Sequence, residues 1–415
     1  MGENVLKNKN YLLLFLGGVV SNLGSHVYNF AISYYIYVIA TPTIAGIYLA
    51  TSGLVYFVIA PFGGAIVDRL DKVKVVWMTD YIRGISVVIA GFIILSGVGT
   101  TIILITLFVT SVVLGINGAL FNPAAGSLPP HILEENQLQQ SSSLSQGMFA
   151  LYMILGSIIG GAIYSFLEIE WIFIINGASF ILSGFSEMFI QLRTQVEKVK
   201  MSFSIIVVDI KDGFLYLLKL KPIFMLVVVT SLLNFFTAPV IVNGFPYLFA
   251  IELEADPIYL SLLYSFYPIG IIITSIILGT VAQKNRVSPI IIKGLYGMAV
   301  FFSVFVVGTH YVVGGQLSFW MFMVISSVAI LITGIFNGMI NIPFNVAIYK
   351  MVEKEMLGRV SSVLGTISNG LTPIAIGLAG VVIDNLGIMI LFYVGAGSIF
   401  VTSLLASTNK HIKQL

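Results

Sequence analysis

Asp68, Arg69, Asp71, Lys72 and Lys74 place five charges within seven residues, between two apolar runs each long enough to cross a bilayer. Charges at that density do the chemistry of ion pairing, and the turn that carries them must lie in water. Asp80 and Arg83 follow three residues apart, on one face of a helix, about two turns inside the next apolar run. Charges at that depth are costly unless paired, and pairing with each other is the economical solution. Glu187 lies one turn from the end of another apolar run, a position close to water. His26 stands near the middle of the first run and is the ionisable group closest to its midplane. An imidazole ordinarily titrates near pH ~6.5, so His26 is a candidate for carrying a proton or touching a solute. Asp80 is the second proton candidate.

Bond-making chemistry is not legible. The 415 residues include no cysteine, which excludes disulfides and thiolate metal sites, and the four histidines are too dispersed for a metal site. Gly63-Gly64, Gly160-Gly161 and Gly314-Gly315 are not phosphate loops, because no G-x-x-x-x-G-K-[ST] occurs. No nucleophile, base and acid form a set. No cofactor and no enzymatic activity are expected.

The elements that must position these residues follow from composition. The chain is 58% hydrophobic and 9% charged, against about 25% charged in soluble domains, so lipid must be the solvent. Twelve runs have spanning length, at 11–39, 44–67, 75–97, 101–122, 142–167, 171–191, 222–250, 257–282, 288–310, 317–349, 358–383 and 387–407. Loops after even spans hold Arg69, Lys72, Lys74, Lys284, Arg286, Lys350, Lys354 and Arg359. Loops after odd spans hold Glu168, Glu170, Glu252, Glu254, Asp256 and Asp384 and no base. Lys and Arg mark the cytoplasmic face, so both termini are expected there. Residues 1–10 run straight into the first span with no small-residue cleavage site, which reads as a retained span rather than a signal peptide. A net charge of +2 gives no reason to expect a nucleic-acid partner.

The fold class expected is an all-α membrane protein of twelve transmembrane helices in two pseudo-symmetric six-helix bundles. Residues 1–191 form the first bundle and 222–415 the second. Between them 192–221 is a basic cytoplasmic linker, whose mixed charge and apolar spacing over 209–220 suit a surface-lying helix. The halves echo each other: Gly118 and Pro123 align with Gly338 and Pro343, Glu134 and Leu138 with Glu353 and Leu357, Ser142-Ser143 with Ser361-Ser362, and Gly161 with Gly380. The offset stays at 219 to 220 residues.

The 63–74 stretch resembles the loop between helices 2 and 3 of the major facilitator superfamily, G-x-x-x-D-R-x-G-[RK]-[RK]. Gly64, Asp68, Arg69 and Lys72 match, while Asp71 replaces a glycine and Val73 a base. The string Leu357-Gly358-Arg359-Val360-Ser361-Ser362, with Ile342-Pro343-Phe344, Thr372-Pro373, Asn176 and the Asp80/Arg83 pair, resembles the macrolide-efflux-like, drug:proton antiporter branch. That branch carries G-x-x-x-G-P-x-x-G in span 5. Here Gly156, Gly160 and Gly161 keep the spacing and lack the proline. The resemblance implies alternating access, with Asp68 docked at the positive N-terminus of span 11 as a cytoplasmic latch. Gly64, Arg69, Lys72, Gly358 and Arg359 complete it, and Asp80 and Arg83 support it.

The family's cavity is lined by spans 1, 4, 7 and 10. Asn22, His26, Asn29 and Ser33 share one face of span 1. Thr230, Asn234 and Thr237 repeat the pattern on span 7, Thr333, Asn337, Asn341 and Asn345 on span 10, and Asn117 is the residue on span 4. Such stripes face protein or water, not lipid. Asn22, His26, Asn29, Asn117, Asn234, Asn337 and Asn341 are therefore the expected solute contacts, with Tyr28, Tyr34, Tyr35, Tyr264 and Tyr267 offering aromatic faces. With no deep charge, the expected cargo is amphipathic and largely neutral. The whole reads as a monomeric multidrug exporter of the bacterial cytoplasmic membrane, whose partners are that cargo, protons and lipid. The alternatives within the fold are a lipid or siderophore exporter and an importer of a neutral nutrient. From another class, the alternative is a receptor or scaffold that does not turn over.

Overall fold

A computed structural model describes residues 4–192, 203–280, 287–353 and 356–414. Arg193, Lys198, Lys200, Lys284, Arg286 and Lys354 lie outside them. Every element among the described residues is helical, as expected where backbone N–H and C=O groups in hydrocarbon must bond within their own segment. Among the described residues, twelve helices are long and apolar enough to span a membrane. In order they are Lys9–Ile39, Pro42–Val67, Lys72–Leu95, Thr100–Ser127, Glu135–Phe166 and Ile169–Glu187. The second six are Lys221–Glu252, Pro257–Thr280, Ser288–Val313, Phe319–Met351, Arg359–Leu386 and Ile388–Thr408. Many large apolar side chains point outward, such as Val58, Ile105, Leu182 and Val324, each about or above three-fifths exposed, the surface that lipid would cover.

The contacts divide the chain into two units: residues 1–39 with 50–206, and 40–49 with 207–415. In the first unit, span 3 packs along span 6 with glycines facing backbone. A Cβ on Gly84 would strike the Gly177 carbonyl, and one on Gly177 the Gly84 carbonyl. Span 2 crosses span 4 where a Cβ on Gly115 would strike the Ser52 carbonyl and one on Gly63 the Ala119 carbonyl. The N-terminal turn Val5–Lys7 is tucked under this unit, its Val5 N–H donating to Gln140 Oε1 at 3.1 Å, with Val5 fully buried. Asn10 and Gln191 exchange two hydrogen bonds of 2.8 and 3.0 Å.

The second unit repeats the plan. Gly334 lies against the Tyr267 carbonyl, and Gly338 against the Thr274 side chain. Gly115 and Gly334, and likewise Ala119 and Gly338, are 219 residues apart (334 − 115 and 338 − 119), the sequence repeat expressed as equivalent helix crossings. Two irregularities were not expected. Span 7 widens to π-helix at Val240–Gly244 and Leu248–Glu252. Pro246 cannot donate into this ladder, and Tyr264 Oη donates instead to the Ile241 carbonyl at 2.6 Å. Span 11 is broken into Leu357–Asn369 and Thr372–Leu386, because Pro373 has no N–H to bond the preceding turn. The segment 40–49 packs in this unit through Gly46 on Gly380, and Thr43 Oγ1 donates to Asp384 Oδ2 at 2.5 Å.

Other boundaries moved modestly. Span 5 begins at Glu135 rather than near 142, because the polar stretch Gln137–Ser143 continues the helix behind a capping box of Glu134 with Gln137. The connecting helix covers Phe203–Lys219 rather than 209–220. It docks on the second unit, where Leu217 is fully buried, Gly213 lies against the Arg359 carbonyl and the Glu353 N–H donates to Tyr216 Oη at 3.3 Å.

Candidate functional site

Span 2 ends in tightening turns, with Asp68 N–H on the Gly64 carbonyl, Arg69 N–H on Ile66 and Leu70 N–H on Val67 at 3.0–3.1 Å. Asp71, the departure from the family pattern, caps span 3 by accepting from the Lys74 N–H at 3.2 Å. That bond satisfies an otherwise orphan donor, a role glycine cannot fill. Asp68 is half-buried, Arg69 exposed and Lys72 buried. Gly63 makes a close approach to the Ala119 carbonyl, whereas Gly64 has open space where its Cβ would stand. Gly358 and Arg359 fall inside the first turn of Leu357–Asn369, at the N-terminus of span 11, and Arg359 is exposed.

Asp80 and Arg83 do pair, by a short contact between Asp80 Oδ1 and Arg83 Nη2. Glu187 joins them, which corrects its placement near water: both carboxyl side chains are fully buried. Helical spacing brings Asp80 and Arg83 to the span 6 face, and the glycine seam with Gly184 beside the Asp80 Cβ lets the helices close over them. Span 1 completes the enclosure with Gly17, where any Cβ would press on Ser183 and Glu187. The Arg83 guanidinium lies between the rings of Phe121 and Phe180, at 4.1 and 4.7 Å. Sequence reasoning missed Glu187, Ser183, Gly17 and these two rings. The one available signal was that Glu187 and Ser183 stand four apart, on one helix face.

The expected solute contacts divide into two groups. Asn22, Asn29, Asn341 and Asn345 are exposed within their spans, and Asn337 is half-buried with its Oδ1 accepting from Asn341 Nδ2 at 2.9 Å. His26 is half-buried, stacked on Tyr152 at 6.1 Å with Phe149 edge-on at 6.2 Å. Gly156 makes room for it, since a Cβ there would collide with the His26 Cβ. The second group faces protein. Asn117 is buried and donates to the Val113 carbonyl of its own helix at 2.8 Å. Asn234 donates to the Ser368 carbonyl at 3.0 Å, one of the groups freed by the break in span 11. Ser33, Thr237 and Thr333 bond back to their own helices. Tyr28 and Tyr34 are core side chains, packed edge-on against Phe173 and Tyr164. Among the described residues, no three His, Asp or Glu side chains gather as a metal site would require.

Two repeated bundles of spanning helices, each carrying amides within apolar spans, define a class: a polytopic membrane transporter. A family model, that of the Major Facilitator Superfamily, matches residues 14–375, and the chain belongs to that superfamily. It is 25% identical over 378 residues to an uncharacterized MFS-type transporter of Bacillus subtilis, YkuC, covering 87% of this chain and 82% of that protein. It is 30% identical over 165 residues to a protein of the same organism described as a candidate bacilysin exporter, BacE, covering 38% of this chain and 40% of that one. In fold it is similar to the crystal structure of a bacterial homologue of the iron transporter ferroportin in its inward-facing state. There the TM-score is 0.78 at 15% identity, over 98% of this chain and 99% of that one. The crystal structure of the nucleoside transporter NupG gives 0.73 at 14%, over 96% and 98%. Fold and family are those of transporters rather than enzymes.

Proposed function

We propose that this transporter exports amphipathic, largely neutral small molecules across a bacterial cytoplasmic membrane in exchange for protons. The observation that carries the reading is the set of exposed asparagines inside apolar spans of both units, Asn22, Asn29, Asn341 and Asn345. Hydrocarbon cannot bond an amide, so these side chains face a watery route, and none of these stretches adds a charge to attract a strongly ionic solute. The aromatic wall of Tyr152 and Phe149 beside His26 suits a flat apolar body. The outward direction draws support from the likeness to the candidate exporter. The test is accumulation of the neutral dye Nile red in cells expressing the protein. Lower accumulation that an uncoupler abolishes supports the reading; higher accumulation points to import, and no change to a protein that does not turn over.

Two side chains carry further expectations. His26→Gln keeps a polar side chain but removes the ring, so Nile red affinity falls several-fold while the pH profile of transport stays as in the wild type. An altered profile with intact affinity would make His26 a proton carrier instead of a solute contact. Asp68→Asn is expected to insert and melt like the wild type and to transport poorly. A carboxylate at a helix N-terminus contributes about 0.5–2 kcal/mol, enough to shift a two-state equilibrium about twofold to thirtyfold. Normal transport by that variant removes Asp68 from the latch.

A further inference from the structure

The cluster on spans 3 and 6 has a charge that does not close. Asp80 and Glu187 are both fully buried, and one guanidinium, Arg83, faces them. With both carboxyls ionised the cluster would carry −2 + 1 = −1 in a site closed around both carboxyls and open only along the Arg83 side chain, 12% exposed. Its polar atoms do not close either: Asp80 Oδ2, Glu187 Oε2 and Arg83 Nε are buried with no hydrogen-bond partner. Glu187 Oε1 accepts from Ser183 Oγ at 3.2 Å, and the next residue, Gly184, lies against the Asp80 Cβ, so the two carboxyls share one enclosure. Two carboxylates cannot bond each other, since both only accept. A carboxylic acid and a carboxylate can.

We propose that Asp80 and Glu187, held by Arg83, form a proton-binding site that takes up one exchangeable proton shared between the two carboxyls. With the proton bound, the cluster is neutral and the carboxyl pair gains the donor that its geometry lacks. When it leaves, a net negative charge is stranded between spans 1, 3, 4 and 6, and that cost is what couples the proton to the arrangement of these helices.

The surroundings bring no other charge. Span 1 meets the cluster with Gly17, span 4 with Phe121, and span 6 with Phe180 and Ser183. On span 3, Tyr81 lies alongside Gly184 with its hydroxyl on the Met188 sulfur at 3.4 Å. Among the described residues, no further Asp, Glu, Lys, Arg or His acts on the three. The second unit supplies a comparison. Asp80 is the ninth residue of Lys72–Leu95, and Tyr296 is the ninth of Ser288–Val313. There spans 9 and 12 are joined by Tyr296 Oη and Ser407 Oγ, 2.9 Å apart. A neutral hydroxyl pair thus suffices to bolt the equivalent helices together, so the ionisable set in the first unit does something beyond bolting.

The role in driving transport rests on the proton-exchange reading above; the binding site itself does not. The test therefore has two readouts, both on the full chain in proteoliposomes. The first is the infrared carbonyl stretch of a buried carboxylic acid. It is expected in the wild type, fading as pH rises, and absent from Glu187→Gln and Asp80→Asn, each checked for a wild-type melting curve. If either variant melts early, Glu187→Asp, which keeps a titrating carboxyl, should retain a shifted band. A wild type with no such band, or a band that survives both neutral variants, overturns the proposal. The second uses the cysteine-free background. A single Asn345→Cys is labelled with a thiol reagent at acid and alkaline pH, a measurement that needs no solute. Labelling is expected to change several-fold with pH and to lose that dependence when Glu187→Gln is added. If the dependence survives Glu187→Gln, the cluster is not the coupling site and that part falls. If the wild type shows no dependence while the carbonyl band titrates, the site stands and the exchange reading falls.

Discussion

Arg83→Leu is expected to lower stability by about 3–5 kcal/mol, the usual consequence of removing one partner from a buried ion pair. It should leave little folded protein at growth temperature, since a domain has only about 5–15 kcal/mol in reserve. Leucine keeps an apolar side chain against Phe121 and Phe180, so packing is the smaller part of the loss. The larger part comes from Asp80 and Glu187, both fully buried, losing the cation that makes even one ionised carboxyl tolerable. Two companions separate charge from shape. Arg83→Lys keeps the charge and gives up the planar stack on the two rings, so its melting temperature should fall between those of wild type and Arg83→Leu. Arg83→Leu combined with Asp80→Asn should recover most of the loss, because the pair is removed rather than broken. Thermal melts in detergent followed by tryptophan fluorescence measure all three. An Arg83→Leu protein that melts with the wild type would mean that the cluster is not enclosed as described.

The second large effect compares two neighbours. Gly63→Ala and Gly64→Ala make the same chemical change one residue apart, and opposite outcomes are expected. At Gly63 the added methyl enters the Ala119 carbonyl, a backbone atom that cannot turn aside, so spans 2 and 4 must separate. Overpacking of that kind costs about 1–3 kcal/mol, and here it also opens the seam along a helix pair of the first unit. At Gly64 the methyl meets nothing, and the variant should melt as the wild type or slightly above, since alanine stiffens a helix. Equal melting of the two variants would refute the crossing. If Gly64→Ala is stable but does not transport Nile red, that glycine is required in another stage of the cycle.

The twelve spans were legible because lipid leaves a sequence little choice: runs of about 20 apolar residues must become helices, and the repeat offset returned as matched crossings. Within the site, legibility depended on range. Asp80 and Arg83 are three apart, and local spacing was enough to pair them. Glu187 is a hundred residues away, and its depth was misjudged because distance from a span end measures distance from water only when no neighbour covers the end; span 1 does so through Gly17. Asn117 and Asn234 read as solute contacts because polarity within a span signals a partner without saying which one. For Asn234 the partner was the Ser368 carbonyl, left free where the first half of span 11 ends, and visible only once that break is known. Gly64 fits a loop pattern and Gly63 does not, and which of the two a crossing needs depends on where span 4 passes.

The π-helical turns of span 7 have a consequence for how this helix diversifies. Each wide turn inserts one residue, and one residue swings every later side chain by about 100° around the axis. The long rod Lys221–Pro239 and the closing stretch Phe245–Glu252 are therefore out of phase across the wide turn Val240–Gly244. A mutation that tailors one rod leaves the angular setting of the other untouched, so the two ends of a single helix are free to evolve under separate demands.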